Sequence, residues 1–317
     1  MTRQSFSTVV PTVQLAVDST SLGAYKKCPR YYQLSILEGW EPRDQSIHLA
    51  FGIALHQARE RYERLRLNAA THDEALEAVF QQAASETWNR ALGRPEALWS
   101  QPGNKTRRTL LQTIVWFLDA KAKDDPFETL VLADGRPAVE LSFAFDSGFL
   151  APTGERIVLC GHLDRIGKLN GAAYIIDIKT SKYDVSYSGW FDQFTPGNQF
   201  SMYTLAGRVA FGVPVSDLVV DGVQVGVGFA RFERGTVHRS DETLAEWLAD
   251  VGEWLVDMGR SATAGYWRMN DTSCDKYGGC DFRRVCSASP SARAHRLASD
   301  FRKRADGGWD PLRVREG

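Results

Sequence analysis

Residues 160–182 read CGHLDRIGKLNGAAYIIDIKTSK. Two short apolar strand patterns flank a polar turn, Lys168-Leu169-Asn170-Gly171, so the stretch predicts a β-hairpin. Each strand carries a carboxylate that a packed core strand would exclude: Asp164 in the first, Asp177 in the second. Lys179 follows Asp177 by two positions. Side chains alternate across a strand, so Asp177 and Lys179 project from one face while Ile176 and Ile178 point to the opposite, packed face. Two acids and a lysine converging on one face of a sheet are costly unless they hold something charged. A divalent metal beside a phosphate satisfies all three.

The flanking patterns set the fold class. A short helix is expected just before Pro29, preceded by the N-cap residues of 18–21. From residue 47 the period is helical, with Phe51, Leu55, Ala58, Tyr62 and Leu65 in one stripe. Further helices are expected over 72–88 and 105–123, with a Gly/Pro loop over 93–103. Val139, Leu141, Phe143 and Phe145 alternate as a strand. Strands over 156–166 and 173–179, a helix over 198–210, one strand across 220–232 and an amphipathic helix over 243–258 follow. This order fits an α/β fold, a mixed sheet with helices on its faces. The expected divisions are an arm and first cysteine helix (1–46), a helical subdomain (47–135), the sheet core (136–262), a cysteine segment (263–290) and a basic tail (291–317). Residues 1–17 read as an extended arm and 287–317 as a mobile or loosely docked tail.

Composition narrows the setting. The chain has 317 residues and a net charge of −1, so any nucleic-acid surface must be local. No apolar run reaches membrane-spanning length and no secretory signal opens the chain, which predicts a cytoplasmic protein with no membrane partner. Five cysteines, unevenly placed, suggest a metal site more than disulfides. No G-x-x-x-x-G-K-[ST] stretch is present, so any unwinding falls to another protein.

Other residues can join the hairpin acids: His56, four residues after Gly52, the backbone carbonyl of Ile178, and Gln199 with Tyr203, one helical turn apart. One histidine, two aspartates and a carbonyl suit magnesium or manganese and leave positions for water and a phosphate oxygen. Such an ion lowers the pKa of its water and stabilises charge on the reacting phosphate. Lys179 would orient or deprotonate the attacking water. Taken singly, a D-x-K pair is often a solvated strand face and a lone histidine is often structural; their joint order carries the argument. Glu140, on a nearby strand, reads as a surface glutamate.

GIALH, GHLDRI, DIKTSK and QFSMY, in that chain order, resemble the RecB-like branch of the PD-(D/E)XK nuclease superfamily, across residues 18–62 and 138–288. The resemblance implies a restriction-endonuclease-like mixed central sheet flanked by helices. It implies His56, Asp164, Asp177 and the Ile178 carbonyl as ligands for Mg2+ or Mn2+, Lys179 as the catalytic lysine, and Gln199 and Tyr203 as substrate-positioning residues. It also implies a metal-dependent DNA exonuclease working on single strands or duplex ends in recombination, repair, or phage- or CRISPR-linked DNA processing, with a helicase or recombination complex as partner. The alternative is a non-catalytic or end-trimming DNA-binding component of such a complex.

Cys274, Cys280 and Cys286 are evenly spaced in CDKYGGCDFRRVC, where Gly278-Gly279 allow a tight turn. With Cys28 of YKKCPR they resemble the iron–sulfur staple of RecB-like nucleases, implying a 4Fe-4S cluster; structural zinc on the same thiolates is the alternative. Cys160 reads as a small buried hydrophobe. Arg59, Arg61, Arg64 and Arg66, then Lys105, Arg107 and Arg108, and the arginines after residue 282 can track a phosphate backbone, although such helix faces are often merely solvated.

Overall fold

The hairpin forms on the turn that its residues demand. In the computed structural model, which describes residues 4–275, 279–304 and 309–313, Asn170 (φ 50°) and Gly171 (φ 84°) take the left-handed conformations of a two-residue hairpin loop. Strands Arg156–Leu169 and Ala172–Ser181 then pair antiparallel, with Arg165 opposite Ile176 and Leu169 opposite Ala172. Ala172–Ser181 pairs in parallel with Val215–Gly226, with Asp177 beside Val220. Helix Asn198–Val209 makes the crossover that a parallel pair requires. Gly207 lets this helix approach closely, since a Cβ there would lie 2.4 Å from a Val215 methyl.

The described chain forms two compact units, each assembled from separated stretches. The first comprises Gln45–Leu141 and His162–Arg239 and holds the hairpin. Its helices Ile47–Leu67, His72–Glu86 and Arg107–Asp124 bury Phe51, Leu55, Val79, Ile114 and Phe117 together with Ile178, Val223 and Val225 of the sheet. Ile178 thus packs away from the face that carries Asp177, as the alternation requires. Capping boxes at Thr71/Glu74 and Thr106/Thr109 start the second and third helices. The second helix stops at Glu86, short of the expected 88, because Trp88-Asn89 pair with Arg94-Pro95 in a small ribbon.

The single strand expected across 220–232 is two. Val215–Gly226 and Phe229–Val237 form a hairpin that turns at Val227 and Gly228 (φ 80°). The alternation of Val223, Val225, Val227 and Phe229 runs through the turn and conceals it.

A buried charge network lies in this unit. Asp125 meets Arg165 at 2.7 Å, Arg59 at 3.1 Å and Arg234 at 3.2 Å, while Asp221 meets Lys121 and Arg234, each at 2.7 Å. Arg59 is buried here and also pairs with Glu63, and Arg64 pairs with Glu60. The arginine-rich face is therefore partly structural: Arg59 is committed to carboxylates and is not a free phosphate-tracking residue.

The second unit comprises the chain up to Asp44, Ser142–Gly161 and the stretch from Ser240 on. Asp18 caps helix Ser19–Lys27, and Pro29, expected to bound that helix, opens the next one, Pro29–Tyr32, at a position where its missing N–H is harmless. Part of the N-terminal arm is a strand: Ala16-Val17 pair in parallel with Val158-Leu159. The expected loose tail contains helix Arg293–Asp300 and strand Phe301–Lys303, which pairs with Trp40–Pro42. Phe301 stacks on Phe282 at 4.7 Å, an anchor that the surrounding charged sequence masks. Among the described residues no helix is long and apolar enough to cross a membrane.

Asp125→Ala should destabilise the protein by about 3–5 kcal/mol in urea titrations, because it strips the buried Arg165 guanidinium of its carboxylate and takes one of two from Arg59 and Arg234. Burial pushes the Asp125 carboxyl up, but the Arg165 guanidinium beside it more than offsets this and holds it at about 2. Its contribution is therefore full above the unfolded value of about 3.9 and is lost as the pH falls through 2. Stability of the variant should show a shallower fall over that acid window than that of the wild type.

Candidate active site

The hairpin register brings Asp164 alongside the peptide that follows Asp177. The Ile178 N–H donates to Asp164 Oδ2 at 3.3 Å. From helix Ile47–Leu67, His56 reaches the same place: Nδ1 lies 3.0 Å from Asp164 Oδ2 and Nε2 lies 2.8 Å from the Ile178 carbonyl oxygen. Both partners accept only, so this geometry needs a proton on each ring nitrogen. Burial alone would lower the His56 pKa, but Asp164 raises it to about 9. Reciprocally, burial raises Asp164 and the imidazolium outweighs it, leaving that carboxyl below its ordinary value. Each ring nitrogen of His56 thus faces one oxygen, and imidazole nitrogen with carboxylate and carbonyl oxygens is a ligand set that suits a divalent cation.

Asp177 is 1% exposed at its side chain. Lys179 Nζ lies 2.8 Å from Oδ2, an ion-pair distance, but off the line of a hydrogen bond, and neither buried carboxylate oxygen has a hydrogen-bond partner. Burial pushes the Asp177 pKa up to about 6; Lys179 opposes the shift and Asp164 adds to it. Two orphaned carboxylate oxygens beside a histidine, a second aspartate and a carbonyl fit a metal ion, because a cation satisfies what no donor here does.

Glu140 is placed differently from the expected surface glutamate. Its carboxylate, a His56 nitrogen and an Asp164 oxygen all lie within 4.8 Å of one another. Its backbone takes φ 48°, a strained conformation for a residue with a side chain. Strand Val139–Leu150 buries Val139, Leu141, Phe143 and Phe145, and Glu140 shares the other face with Ser142 and Ala144. A charge next to the small residues Ser142 and Ala144 was the available signal.

Gln199 and Tyr203 meet on helix Asn198–Val209, where Gln199 Nε2 donates to the Tyr203 hydroxyl at 2.8 Å. Burial, then the charges of Asp177 and Asp164, raise the Tyr203 phenol well above its ordinary range, so it stays protonated. The site thus gathers His56, Asp164, Asp177, the Ile178 carbonyl and Lys179, with the Gln199–Tyr203 pair within electrostatic reach and Glu140 added.

The cysteines converge within the second unit. Cys28 ends the first helix, and its Sγ accepts the Asn270 N–H at 3.3 Å, while Cys274 Sγ approaches the carbonyl of the same Asn270 at 3.8 Å. The Cys280 N–H bonds the Cys274 carbonyl at 2.9 Å, a turn aided by Gly279 at φ 103°; Gly278 lies outside the described residues. Burial raises the Cys280 and Cys286 thiols; Cys274 adds to the first shift, and Cys28 and Cys280 to the second. All four are free thiols, linked pairwise through Cys280 with Cys274 and Cys286 with Cys28 and Cys280, and four thiolates are the donor type of a thiolate-bound metal or cluster. Cys160 is fully buried.

The profile of the PD-(D/E)XK nuclease superfamily matches residues 19–287. Among solved structures, the chain is similar to a candidate exonuclease from Eubacterium rectale, at 14% identity over 87% of this chain and 91% of that one, with a TM-score of 0.49. It is also similar to SSO0001, at 12% identity over 87% of each chain, with a TM-score of 0.34. No curated protein matches it. The matched span contains the hairpin, the histidine helix, the crossover helix and all four converging cysteines, and the chain belongs to the PD-(D/E)XK nuclease superfamily.

Proposed function

We propose that the protein is a metal-dependent DNA exonuclease that hydrolyses phosphodiester bonds on single strands or at duplex ends. The observation that carries this reading is Asp177, a buried carboxylate with neither oxygen hydrogen-bonded, ion-paired with Lys179 and next to His56, Asp164 and the Ile178 carbonyl. His56, Asp164, Asp177 and the Ile178 carbonyl would hold Mg2+ or Mn2+, with Glu140 in reach as a further carboxylate. When bound, such an ion polarises the phosphate and lowers the pKa of a coordinated water. Lys179, tethered to Asp177 and partly exposed, orients the attacking water or donates to charge developing on the phosphate oxygens. Gln199, backed by the neutral Tyr203 hydroxyl, positions the strand at that lysine. Preference for ends, and a role in recombination, repair or phage- or CRISPR-linked processing beside a helicase or recombination complex, rest on the family resemblance. The cytoplasm suits both a DNA substrate and reduced thiols.

Cys28, Cys274, Cys280 and Cys286 would hold a 4Fe-4S cluster, with structural zinc as the alternative; either ties the first helix of the second unit to its C-terminal segment.

Wild-type protein should degrade end-labelled DNA with Mg2+ or Mn2+. Asp177→Asn and Lys179→Met should each lose on the order of 10²–10³-fold in rate while still binding DNA. A wild type that leaves DNA and RNA intact with both metals would sink the reading in favour of a non-catalytic component. Glu140→Gln should raise the Mn2+ concentration that half-activates cleavage roughly tenfold; an unchanged midpoint removes Glu140 from the ligand set. Anaerobically purified protein should absorb broadly at the blue edge of the visible range and contain iron, whereas colourless protein with bound zinc contradicts the cluster.

A further inference from the structure

Lys105 is a buried cation that has no counter-ion among the described residues. It is 6% exposed, its Nζ donates to the Thr180 hydroxyl at 2.9 Å, and among the described residues no carboxylate pairs with it. Below it lies the Phe51 ring, 5.1 Å from Nζ to the centroid. The other buried basic side chains of the same unit are matched. Arg59 and Arg165 face aspartates, and Arg239, which has no carboxylate partner among the described residues, is instead held by the Phe194 and His238 carbonyls and the Ser201 hydroxyl. An ammonium taken out of water with one hydroxyl for company costs stability, and burial holds its pKa down to about 8. Such a group persists where something negative arrives to meet it.

Its location says what arrives. Thr180 directly follows Lys179 on the hairpin strand, and Gly52 faces the Thr180 hydroxyl, which a Cβ added at Gly52 would meet at 3.8 Å. Gly52 is one helical turn before His56 and one turn after His48, so the three form a row along one face of helix Ile47–Leu67. By the helical rise, Gly52 is about 6 Å from His56 along the axis, the scale of one nucleotide step. His48 and Lys182 are both exposed. Beyond the effect of its own partial burial, His48 feels the positive charges of both Lys105 and Lys182, so the three groups share one neighbourhood.

We propose that Lys105, flanked by His48 and Lys182, is the subsite for the phosphodiester adjacent to the one that is cut, and so sets the register of the strand on the metal centre. This rests on the nuclease reading above. The buried ammonium, already desolvated and fixed by Thr180, makes the direct contact; His48 and Lys182 draw the backbone in from solvent. A purely structural Lys105 would instead serve only to tie the start of helix Arg107–Asp124 to the strand.

The two roles separate experimentally. Lys105→Met and Lys105→Gln are compared with wild type for melting temperature, for binding to a single-stranded oligonucleotide in Ca2+ over a range of salt, and for cleavage in Mn2+. A phosphate subsite predicts melting temperatures at or above wild type, binding roughly tenfold weaker, and a salt slope smaller by about 0.7. It also predicts that a neutral methylphosphonate next to the scissile position weakens wild-type binding and raises its KM, with no further loss in either variant. If wild type neither binds nor cuts the oligonucleotide, the nuclease reading fails and this assignment with it. If wild type binds and cuts, and the variants match it in salt slope, or the methylphosphonate and Lys105 losses simply multiply, the nuclease reading stands and the assignment is wrong.

Discussion

Asp177 holds a carboxylate in the protein interior with neither oxygen accepting a hydrogen bond. A buried, unsatisfied carboxylate is among the costliest side-chain placements, so the surrounding structure must hold it there against the pull of water. The hairpin turn at Asn170-Gly171 fixes the register. The parallel pairing of Ala172–Ser181 with Val215–Gly226 removes the strand from an edge. Ile178, packed among Phe51, Leu55, Val223 and Val225, anchors the opposite face. With the backbone immobilised on that side, the Ile178 carbonyl and the Asp177 carboxylate have few ways to relax. His56 then joins the helical layer to the sheet through the same peptide.

The unit uses charge in two ways. In the network around Asp125 and Asp221, each acid is met by two or more basic groups, which stabilises the charged forms and makes the network acid-resistant scaffolding. Among the described residues Asp177 is ion-paired only with the partly exposed Lys179 and Lys105 has no carboxylate partner, and the shifts run the other way: the Asp177 carboxyl is raised and the Lys105 ammonium lowered. The raised acid and the lowered base meet the same strand three residues apart, at Asp177 and, through the Lys105 contact, at Thr180. They are complementary to a substrate that brings anionic phosphates together with a divalent cation.

Much of this was legible in the sequence because hairpin and helix periods are local. The turn, the acids, the lysine and the helix stripe that aims His56 all follow from spacing alone. Other features were hidden where a local pattern met a tertiary choice. The valine alternation runs through the Val227-Gly228 turn, so two strands read as one. Arg59 looks like its exposed neighbours until Asp125, distant in the chain, buries it. The tail docks through Leu297 and Phe301, too few apolar residues to stand out among arginines. Glu140 reaches the site through a left-handed backbone that alternation cannot foretell, and Lys105 differs from any surface lysine only by where helix Arg107–Asp124 begins.

His56, Asp164, Asp177 and the Ile178 carbonyl should together bind a divalent cation. Calorimetric titration of Mn2+ into the protein tests it most directly, because it reads binding without requiring turnover. Wild type should bind saturably, with one proton released from His56 as one ring nitrogen gives up its contact to bind the ion, and Asp177→Asn should lose that binding. Wild type without a binding isotherm, or Asp177→Asn binding as tightly as wild type, would contradict it.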